Sequence, residues 1–495
     1  MSTNGTHATN GHATNGTEYS LKPGLANSLP ITSIIAQWVS TTTTASLNSS
    51  MRNKLSDLLL DMVGISAAAA QSSASTPAIV AAITSLSPPG SGSCTVLTKG
   101  STYPAHIAAL LNATFGHSLD FDDTHAASTL HPGVCAIWAA VAQAELSSNT
   151  DVDRFLLAVS VGYEITCRLG TELGYSAYSR GFHNTSTAGV FGAVAAIAVL
   201  KGLPAPTIEM AFGLAGSRAA GSMQYLDNGS HNKRLHPGFA CHDAFVCVAL
   251  AEQGVVGATR IFEGKMGFLN AYSPNQEKDL SRIIKDLGEE WVFVETSLKP
   301  FPACRMTHGG IEMADKLANK RRQKGITSNA DLVKDVKSIE VRLRTANMSL
   351  VGDRTENKVH PKAEVDAQFS AYFQVAHAYL WGSQQGVKAY GRLGDQDVSA
   401  LCDKIKCVVD DEDPGLLGMG SRIIVDYEDG SREDTTITEP LGEPSHPFER
   451  SAVELKFKGC MEPVYGPKTS QEVLKMVDGI SKGQGSVTEL MKLLA

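Results

Sequence analysis

The sequence has few aromatic residues and no apolar run long enough to cross a membrane. Phe, Trp and Tyr account for 6% of its 495 residues, whereas hydrophobic residues together account for 43%. The longest apolar run, residues 190–200, is about half of the ~20 residues that a membrane-spanning helix needs. We therefore expect a folded protein with a sizeable core and no membrane partner.

Paired cysteine motifs are also absent. The nine cysteines are scattered and no C-x-x-C occurs, so neither a zinc ribbon, a thioredoxin-type site nor an iron–sulfur element is predicted. The first residues contain neither the basic and apolar regions of a signal peptide nor the arginines of a mitochondrial presequence. These observations predict buried thiols in a reducing compartment, and the expected localisation is cytoplasmic.

An excess of positive charge is lacking as well. Forty-three Lys and Arg face 51 Asp and Glu, giving a net charge of −8. Nucleic-acid binding would favour a basic domain, so no nucleic-acid partner is expected. The glycine-rich G-x-G-x-x-G and G-x-x-x-x-G-K-[ST] loops do not occur where they could hold a nucleotide, and G-x-S-x-G is missing.

The pattern of apolar residues predicts a mainly α protein. Residues 1–24 begin with a small polar repeat and are predicted to be a disordered tail. Residues 25–294, together with 446–495, are predicted to form a large all-helical domain. Its main predicted helices are 50–70, 105–114, 134–146, 153–169, 186–201, 207–223, 241–253, 470–481 and 487–494.

A smaller α+β lid domain is predicted for residues 295–445, inserted into the helical domain. Residues 339–344 alternate between apolar and charged side chains, as in a half-exposed strand. Residues 423–427 and 435–438 flank Asp429-Gly430 and predict a hairpin. Helices predicted at 311–322 and 365–381 interleave with these strands.

A dense group of titratable residues lies at residues 116–133, with the sequence GHSLDFDDTHAASTLHPG. It contains three acids, three histidines and a threonine between two predicted helices: Asp120, Asp122, Asp123, His117, His125, His131 and Thr124. Three interpretations compete. The residues could ligate a metal, although no established ligand spacing supports this. They could be helix caps and solvated loop groups, or a histidine oriented by a carboxylate could transfer protons, which is the favoured interpretation.

Other segments carry similar chemistry. His183 stands at the start of the helix predicted at 186–201. Residues 231–238 place Lys233 and Arg234 before the helix predicted at 241–253, and residues 298–308 contain Lys299 and Arg305. Basic clusters are usually solvated surface, but beside prolines and glycines in an acidic protein they favour clamps for an anionic substrate.

Together these segments resemble the MmgE/PrpD family, which includes 2-methylcitrate dehydratase and cis-aconitate decarboxylase. The resemblance rests on the segments LDFDDTH to LHPG (119–133), GFH (181–183), NKRLHPG (232–238), KPFPACRMTH (299–308) and DAQFSAYFQVA (366–376). It implies a helical domain, a smaller α+β lid, an active site between them, a homodimer, and neither a metal nor an organic cofactor.

By position, the resemblance carries pocket residues onto this chain. Those that match the decarboxylase pocket are Asp120, Thr124, His131, His183, Lys233 and Lys299. Where the decarboxylase has a histidine five residues after the second lysine, this chain has Cys304, within a PACRxTH form similar to the dehydratase branch. The spacing from Asp120 to His131 is also one residue longer than in the animal decarboxylase.

A mechanism follows from the resemblance. His131 is the expected leading proton-transfer residue, with Asp120 orienting it and His183 as the second catalytic histidine. Thr124 would hydrogen-bond a tricarboxylate substrate, and the cations clamping its carboxylates would be Lys233, Arg234, Lys299 and Arg305. The expected activity is the dehydration of a 2-alkylcitrate to an alkyl-aconitate, in a biosynthetic route to maleic-anhydride-type metabolites. The alternatives are cis-aconitate decarboxylation to itaconate and an inactive dimeric scaffold.

Overall fold

The computed structural model describes residues 29–147, 151–273 and 280–495; the tail predicted at residues 1–24 lies outside them. Helices dominate the first part of the described chain, up to about residue 290. They are α1 (Ile31–Thr41), α2 (Ser49–Ser72), α3 (Thr76–Leu86), α4 (Ala105–Ser118), α5 (Gly133–Ser147), α6 (Val152–Ser179), α7 (Asn184–Thr187), α8 (Gly189–Lys201), α9 (Ala205–Ala215), α10 (Asn232–Glu252), α11 (Phe268–Tyr272) and α12 (Ser281–Ile284). Two short antiparallel strands, β1 (Cys94–Thr95) and β2 (Thr102–Tyr103), lie between α3 and α4.

Helices α5 and α8 lie at the centre of this helical region, and nearly all of their residues are buried. Small side chains allow the close packing: a Cβ at Gly192 would lie 1.9 Å from Thr166 Oγ1 and 2.4 Å from the Gly162 carbonyl oxygen. The helical segment 184–201 is long and apolar enough to cross a membrane, but 94% of it is buried inside the protein. A helix that is apolar on all sides here forms the centre of a helical core.

The next part of the chain combines helices with a sheet. Its elements are α13 (His308–Gln323), α14 (Asn329–Asp335), β3 (Val336–Leu343), α15 (Thr345–Asn347), α16 (Glu356–Val359), α17 (Glu364–Gln368), α18 (Ala371–Trp381), α19 (Gln396–Asp403), β4 (Ile405–Val409), β5 (Ser421–Tyr427) and β6 (Arg432–Ile437). The strand order is β4-β3-β5-β6, with β3 parallel to β4 and the other pairs antiparallel. The mainly α fold with a smaller α+β portion is thus confirmed.

The last helices, α20 (Arg450–Ser481) and α21 (Val487–Leu493), return to the helical region. Helix α20 packs along α2, where Arg450 Nη1 lies 2.5 Å from Asp57 Oδ1 and Lys456 Nζ lies 2.6 Å from Asp61 Oδ1. Gly466 has φ 78°, so a non-helical residue kinks α20 between two prolines. Helix α21 packs against α5, so both last helices lie against the helical region.

Several predicted boundaries were wrong. The helix predicted at 207–223 ends at Ala215 in α9, and the helix predicted at 365–381 is divided between α17 and α18. Helix α10 begins at Asn232 rather than 241, so the basic segment lies inside its first turns and not before it. Close packing overrides the breaking tendency of Pro-Gly there, since a Cβ at Gly238 would lie 2.6 Å from the Leu110 carbonyl oxygen of α4.

Candidate active site

A small cavity of about 50 Å³ lies where the α4–α5 loop, the start of α10 and the segment after residue 298 meet the α+β portion. Its lining combines charged, imidazole and apolar side chains: Asp120, Thr124, His125, Ala126, Thr129, Leu130, His131, Tyr178, His183, Lys233, Lys299, Cys304, Arg305, Met306, Phe369 and Met419. Seven of the eight residues expected to act on the substrate line this cavity, and Arg234 is the exception.

The α4–α5 loop holds its side chains through a strained backbone. Asp120 and Thr129 have φ of 50° and 51°, in the left-handed region that non-glycine residues rarely adopt. The loop is tied to the segment before Lys299, because the Thr124 amide donates to the Ser297 carbonyl at 2.9 Å and the Ser297 amide donates back at 2.6 Å. Such strain persists only where the surrounding structure fixes it, and it places Asp120 against the two lysines.

Asp120 joins the two basic segments. Its Oδ1 accepts hydrogen bonds from Lys233 Nζ at 2.7 Å and from Lys299 Nζ at 3.1 Å, and Lys299 Nζ also donates to the Asp120 carbonyl oxygen at 2.8 Å. Burial alone would raise the pKa of the Asp120 carboxyl, but the two ammonium groups hold this pKa well below its usual range. One carboxylate therefore faces two buried cations, an arrangement that attracts a further anion.

His131 lies between two carboxylates. Its Nδ1 is 3.3 Å from Asp122 Oδ2, whereas its Nε2 is 3.8 Å from Asp120 Oδ1. The expectation that Asp120 orients His131 is therefore corrected, because Asp122 is the nearer carboxylate and Asp120 is bonded to the lysines. Burial lowers the pKa of His131, and the nearby Lys299 and Lys233 lower it further. The ring is consequently neutral near pH 7 and can accept a proton.

His117 and Asp122 lie at the site but were not among the residues predicted to act on the substrate. His117 Nδ1 lies 2.7 Å from Asp122 Oδ2, and its Nε2 lies 3.0 Å from Lys233 Nζ. Burial lowers the pKa of His117 to about 3, and the neighbouring histidines hold the pKa of Asp122 well below its usual range against the effect of burial. Both residues were visible in the dense motif, but spacing alone did not reveal that His117 contacts Lys233 and that Asp122 contacts His117.

His183 lies across the cavity from the α4–α5 loop and is buried. Its Nδ1 is 3.0 Å from His236 Nδ1, and its ring stacks on His117 with centroids 5.5 Å apart. Burial and the nearby His236 and Lys233 hold the pKa of His183 well below its usual range. His183 is therefore a neutral ring at physiological pH. Its contact with His236, as well as that with His117, was not predicted from the sequence.

The two arginines expected to clamp the substrate are bonded within the protein. Arg234 Nη1 donates to Ser73 Oγ and Ser75 Oγ at 3.0 and 2.9 Å, and its Nη2 lies 3.1 Å from Glu364 Oε2. The structure does not bring Arg234 to the cavity. Arg305 does line it, but its guanidinium donates to Glu443 Oε1 at 2.7 Å and to the carbonyl oxygens of residues 440 and 441.

Two adjacent acids of the loop have opposite environments. Asp122 is held by histidines, whereas Asp123 lies beside the Tyr163 hydroxyl, and burial together with the charge of Asp122 raises its pKa to about 8. A Cβ at Gly133 would lie 2.1 Å from the Tyr163 hydroxyl and 2.6 Å from Asp123 Oδ1, so only glycine fits there. Near pH 7 Asp123 is consequently a protonated, structural carboxyl.

Among the described residues, one group could geometrically hold a metal ion. The nearest ligand atoms of His117, Asp122 and His131 all lie within 4.8 Å of one another. These atoms already contact each other, and the remaining nitrogen of His117 faces the Lys233 ammonium. A metal ion at these atoms would have to displace the proton shared by His117 and Asp122 and would lie near the buried Lys233 ammonium group, so the set fits a proton-transfer network better than a metal centre.

The sequence matches two domain models of one family. The MmgE/PrpD N-terminal domain matches residues 33–281, and the MmgE/PrpD C-terminal domain matches residues 301–482. The chain is 28% identical to the cis-aconitate decarboxylase-like protein oryM of Aspergillus oryzae, covering 82% of this chain and 85% of that protein. It is 25% identical to the cis-aconitate decarboxylase of Aspergillus terreus, covering 94% and 95%, and 26% identical to that of Homo sapiens, covering 76% and 77%. The two domain matches together span most of the chain, which therefore belongs to the MmgE/PrpD family.

Proposed function

We propose that this protein is a lyase that dehydrates a 2-alkylcitrate to an alkyl-aconitate without a cofactor. The observation that carries the proposal is the neutral His131 ring beside two buried ammonium groups in one cavity. Dehydration needs a base for a weakly acidic C–H next to a carboxylate and cations for the charge that develops as the proton leaves. His131 and the lysine pair provide these two requirements.

The reaction balances with the groups present. His131 Nε2 takes the proton from carbon, the C–H electron pair forms the new C=C bond, and the C–O bond breaks. The departing hydroxide takes the proton from the His131 imidazolium and leaves as water. His183, with its pKa well below the usual range, holds no extra proton at neutral pH and acts by hydrogen-bonding the substrate. Thr124, Lys233 and Lys299 bind the carboxylates.

The apolar part of the cavity wall supports an alkylated substrate over citrate. Leu130, Met306, Phe369 and Met419 share the lining with the charged residues. Lys299 is fully buried, whereas Met419 is half-buried, so the charged end lies deeper than the methionine. A tricarboxylate is larger than about 50 Å³, and the unbranched, flexible methionines are the side chains best suited to move aside for it.

A second candidate function is decarboxylation of cis-aconitate. Relatives that carry the name cis-aconitate decarboxylase cover most of this chain and favour it. Cys304 disfavours it, because this position departs from the decarboxylase pattern. A histidine at this position can carry a positive charge near a departing carboxylate, whereas a thiol cannot; burial raises the pKa of the Cys304 thiol to about 11, so it stays neutral.

The two candidates are separated by a direct assay. Purified protein is incubated with citrate, 2-methylcitrate, longer 2-alkylcitrates and cis-aconitate, and both alkene absorbance and CO2 release are followed. Dehydration predicts alkene formation from a 2-alkylcitrate without CO2, and His131→Gln should abolish it. Release of CO2 from cis-aconitate alone would replace the proposal by the second function. If no tricarboxylate reacts or raises the melting temperature, an inactive scaffold is indicated.

A homodimer, a cytoplasmic localisation and a place in maleic-anhydride-type biosynthesis remain part of this proposal. Sedimentation equilibrium of the purified full chain measures the first of these directly. A monomer at micromolar concentration would contradict the dimer, whereas the proposed chemistry is tested separately by the lyase assay.

A further inference from the structure

Four charged or imidazole groups of the site form one continuous buried chain. Lys233 Nζ lies 3.0 Å from His117 Nε2, His117 Nδ1 lies 2.7 Å from Asp122 Oδ2, and the same oxygen lies 3.3 Å from His131 Nδ1. The side chains of His117 and Asp122 are completely buried, whereas that of His131 is 11% exposed. The outer members line the cavity and the inner two do not.

The donors and acceptors fix the tautomers along this chain. An ammonium group only donates, so His117 Nε2 must accept from Lys233 and carry no proton. The single proton of the neutral ring is therefore on Nδ1 and is donated to Asp122. Asp122 is an ionised carboxylate that only accepts, and its Oδ2 lies 3.3 Å from His131 Nδ1, so this contact favours the His131 tautomer with the proton on Nδ1. The Nε2 lone pair of His131 is left free for the substrate.

We propose that Asp122 and His117 are positioning residues that couple the base to the lysine that binds the substrate. Asp122 fixes His131 in the tautomer whose Nε2 accepts the proton, and it stabilises the imidazolium that forms. His117 donates to Asp122 and accepts from Lys233, and in this way it fixes the direction of the Lys233 ammonium group. The inference rests on the proposed function, because it assigns roles within the dehydration reaction.

The same network sets the pH dependence. The charged and titratable groups that face His131 are Asp120, Asp122, Lys233, Lys299, His117 and His183. The lysines destabilise the imidazolium, whereas the two carboxylates stabilise it. Protonation of His131 removes the base, so activity falls on the acid side. Removing the charge of Asp122 lowers the pKa of His131 and moves that fall to lower pH.

Asp122→Asn tests this directly, because the amide keeps the shape and loses the charge. We expect kcat to fall about 100-fold or more with little change in KM, since a wrong tautomer stops proton transfer but not binding. The acid limb of the kcat/KM profile should move to lower pH. A kcat within about threefold of wild type, or an unmoved limb, overturns the proposal.

Asp123→Asn is the matched control. Asp123 is the next residue and equally buried, but it contacts Tyr163 rather than the histidines and is protonated near pH 7. We expect its kcat to stay within about threefold of wild type, with the acid limb unmoved. Equal losses in both variants would mean that the loop tolerates no amide, and would overturn the specific role of Asp122.

A second variant tests the coupling to Lys233 and keeps the proposal testable if the first variant does not fold. His117→Gln removes the ring between Asp122 and Lys233, and we expect KM to rise about tenfold with a smaller loss of kcat. An unchanged KM would overturn this half of the proposal. Melting temperatures of all variants show whether each is folded.

A measurement independent of activity separates this inference from the proposed function. In protein labelled with ¹⁵N-histidine, the His131 signals are assigned by their loss in His131→Gln. We expect a protonated Nδ1 and an unprotonated Nε2 at pH 8, and loss of this preference in Asp122→Asn. A protonated Nε2 in the wild type overturns the inference. A wild type that turns over no tricarboxylate overturns the proposed function alone.

Discussion

Each of the two basic segments, 231–238 and 298–308, contains one lysine and one arginine, and the two residues have different partners. In each, the lysine reaches the cavity and pairs with Asp120, whereas the arginine is bonded to a glutamate and to neutral oxygens of the protein. An ammonium on a flexible stem can be shared between Asp120 and an incoming carboxylate. A planar guanidinium with five donors is better suited to hold several fixed acceptors.

The arginines join parts of the chain that are distant in sequence. Arg234 connects α10 to Glu364 of α17 and to the serines before α3, and Arg305 connects the start of α13 to Glu443 before α20. The bonds of Arg234 thus join the helical and α+β portions, whereas those of Arg305 join two segments of the α+β portion. The basic residues therefore have two roles: the lysines bond Asp120 in the cavity, and the arginines join distant parts of the chain.

The largest expected effect comes from replacing the lysines. Lys233→Met and Lys299→Met each remove a cation while keeping a similar volume, so the substrate loses a charge-assisted contact. We expect kcat/KM to fall on the order of 10³-fold, the magnitude seen when one buried charged partner is removed. Steady-state kinetics on the substrate identified by the lyase assay, with melting curves to check folding, measures this.

Arg234→Met is the control for Lys233→Met, because the two residues are adjacent in α10. Its guanidinium has partners in the protein and does not line the cavity. Its kcat/KM should therefore fall far less than that of the lysine variants. A loss as large as that of Lys233→Met would contradict the division between lysines and arginines.

The next effect is on stability. Arg305→Met leaves Glu443 buried without its ion partner, and we expect the free energy of unfolding to decrease by about 3–5 kcal/mol. Urea unfolding measures it. The double variant with Glu443→Gln should recover part of the loss, because it removes the uncompensated charge. A strongly raised KM with unchanged stability would instead make Arg305 a substrate clamp, as the sequence suggested.

Sequence could predict the division of the fold better than the contacts of the site. Periodicity located α2, the strand β3 and the β5–β6 hairpin, because each has a local pattern. It missed β4, a five-residue strand whose partner β3 lies over sixty residues away, with Ile339 opposite Ile405. Pairing between distant segments has no signal in local alternation.

The same limit applies to the site. The motif at 116–133 identified the loop that carries the chemistry, and the resemblance added the lysines. The sequence could not show that Asp122 lies nearer to His131 than Asp120 does, because both acids are within three residues of each other in a strained loop. The sequence also could not show that Lys233 lines the cavity and Arg234 does not. Both residues lie in α10, and this helix begins nine residues earlier than predicted.

The smallest expected effect concerns Cys304, an uncharged residue of the second basic segment that also lines the cavity. Burial raises the pKa of the Cys304 thiol to about 11, so at pH 6–9 it carries no charge and offers only a weak donor. Cys304→Ala should therefore change kcat/KM for dehydration by less than about fivefold, in contrast to Lys299→Met five positions earlier. The pH profile should also keep its shape, because no ionisation is removed in that range. Kinetics from pH 6 to 9 tests both points. Loss of an alkaline limb in the variant would show that the thiol ionises during the reaction. Cys304 would then be a third charged group of this segment, beside Lys299 and Arg305.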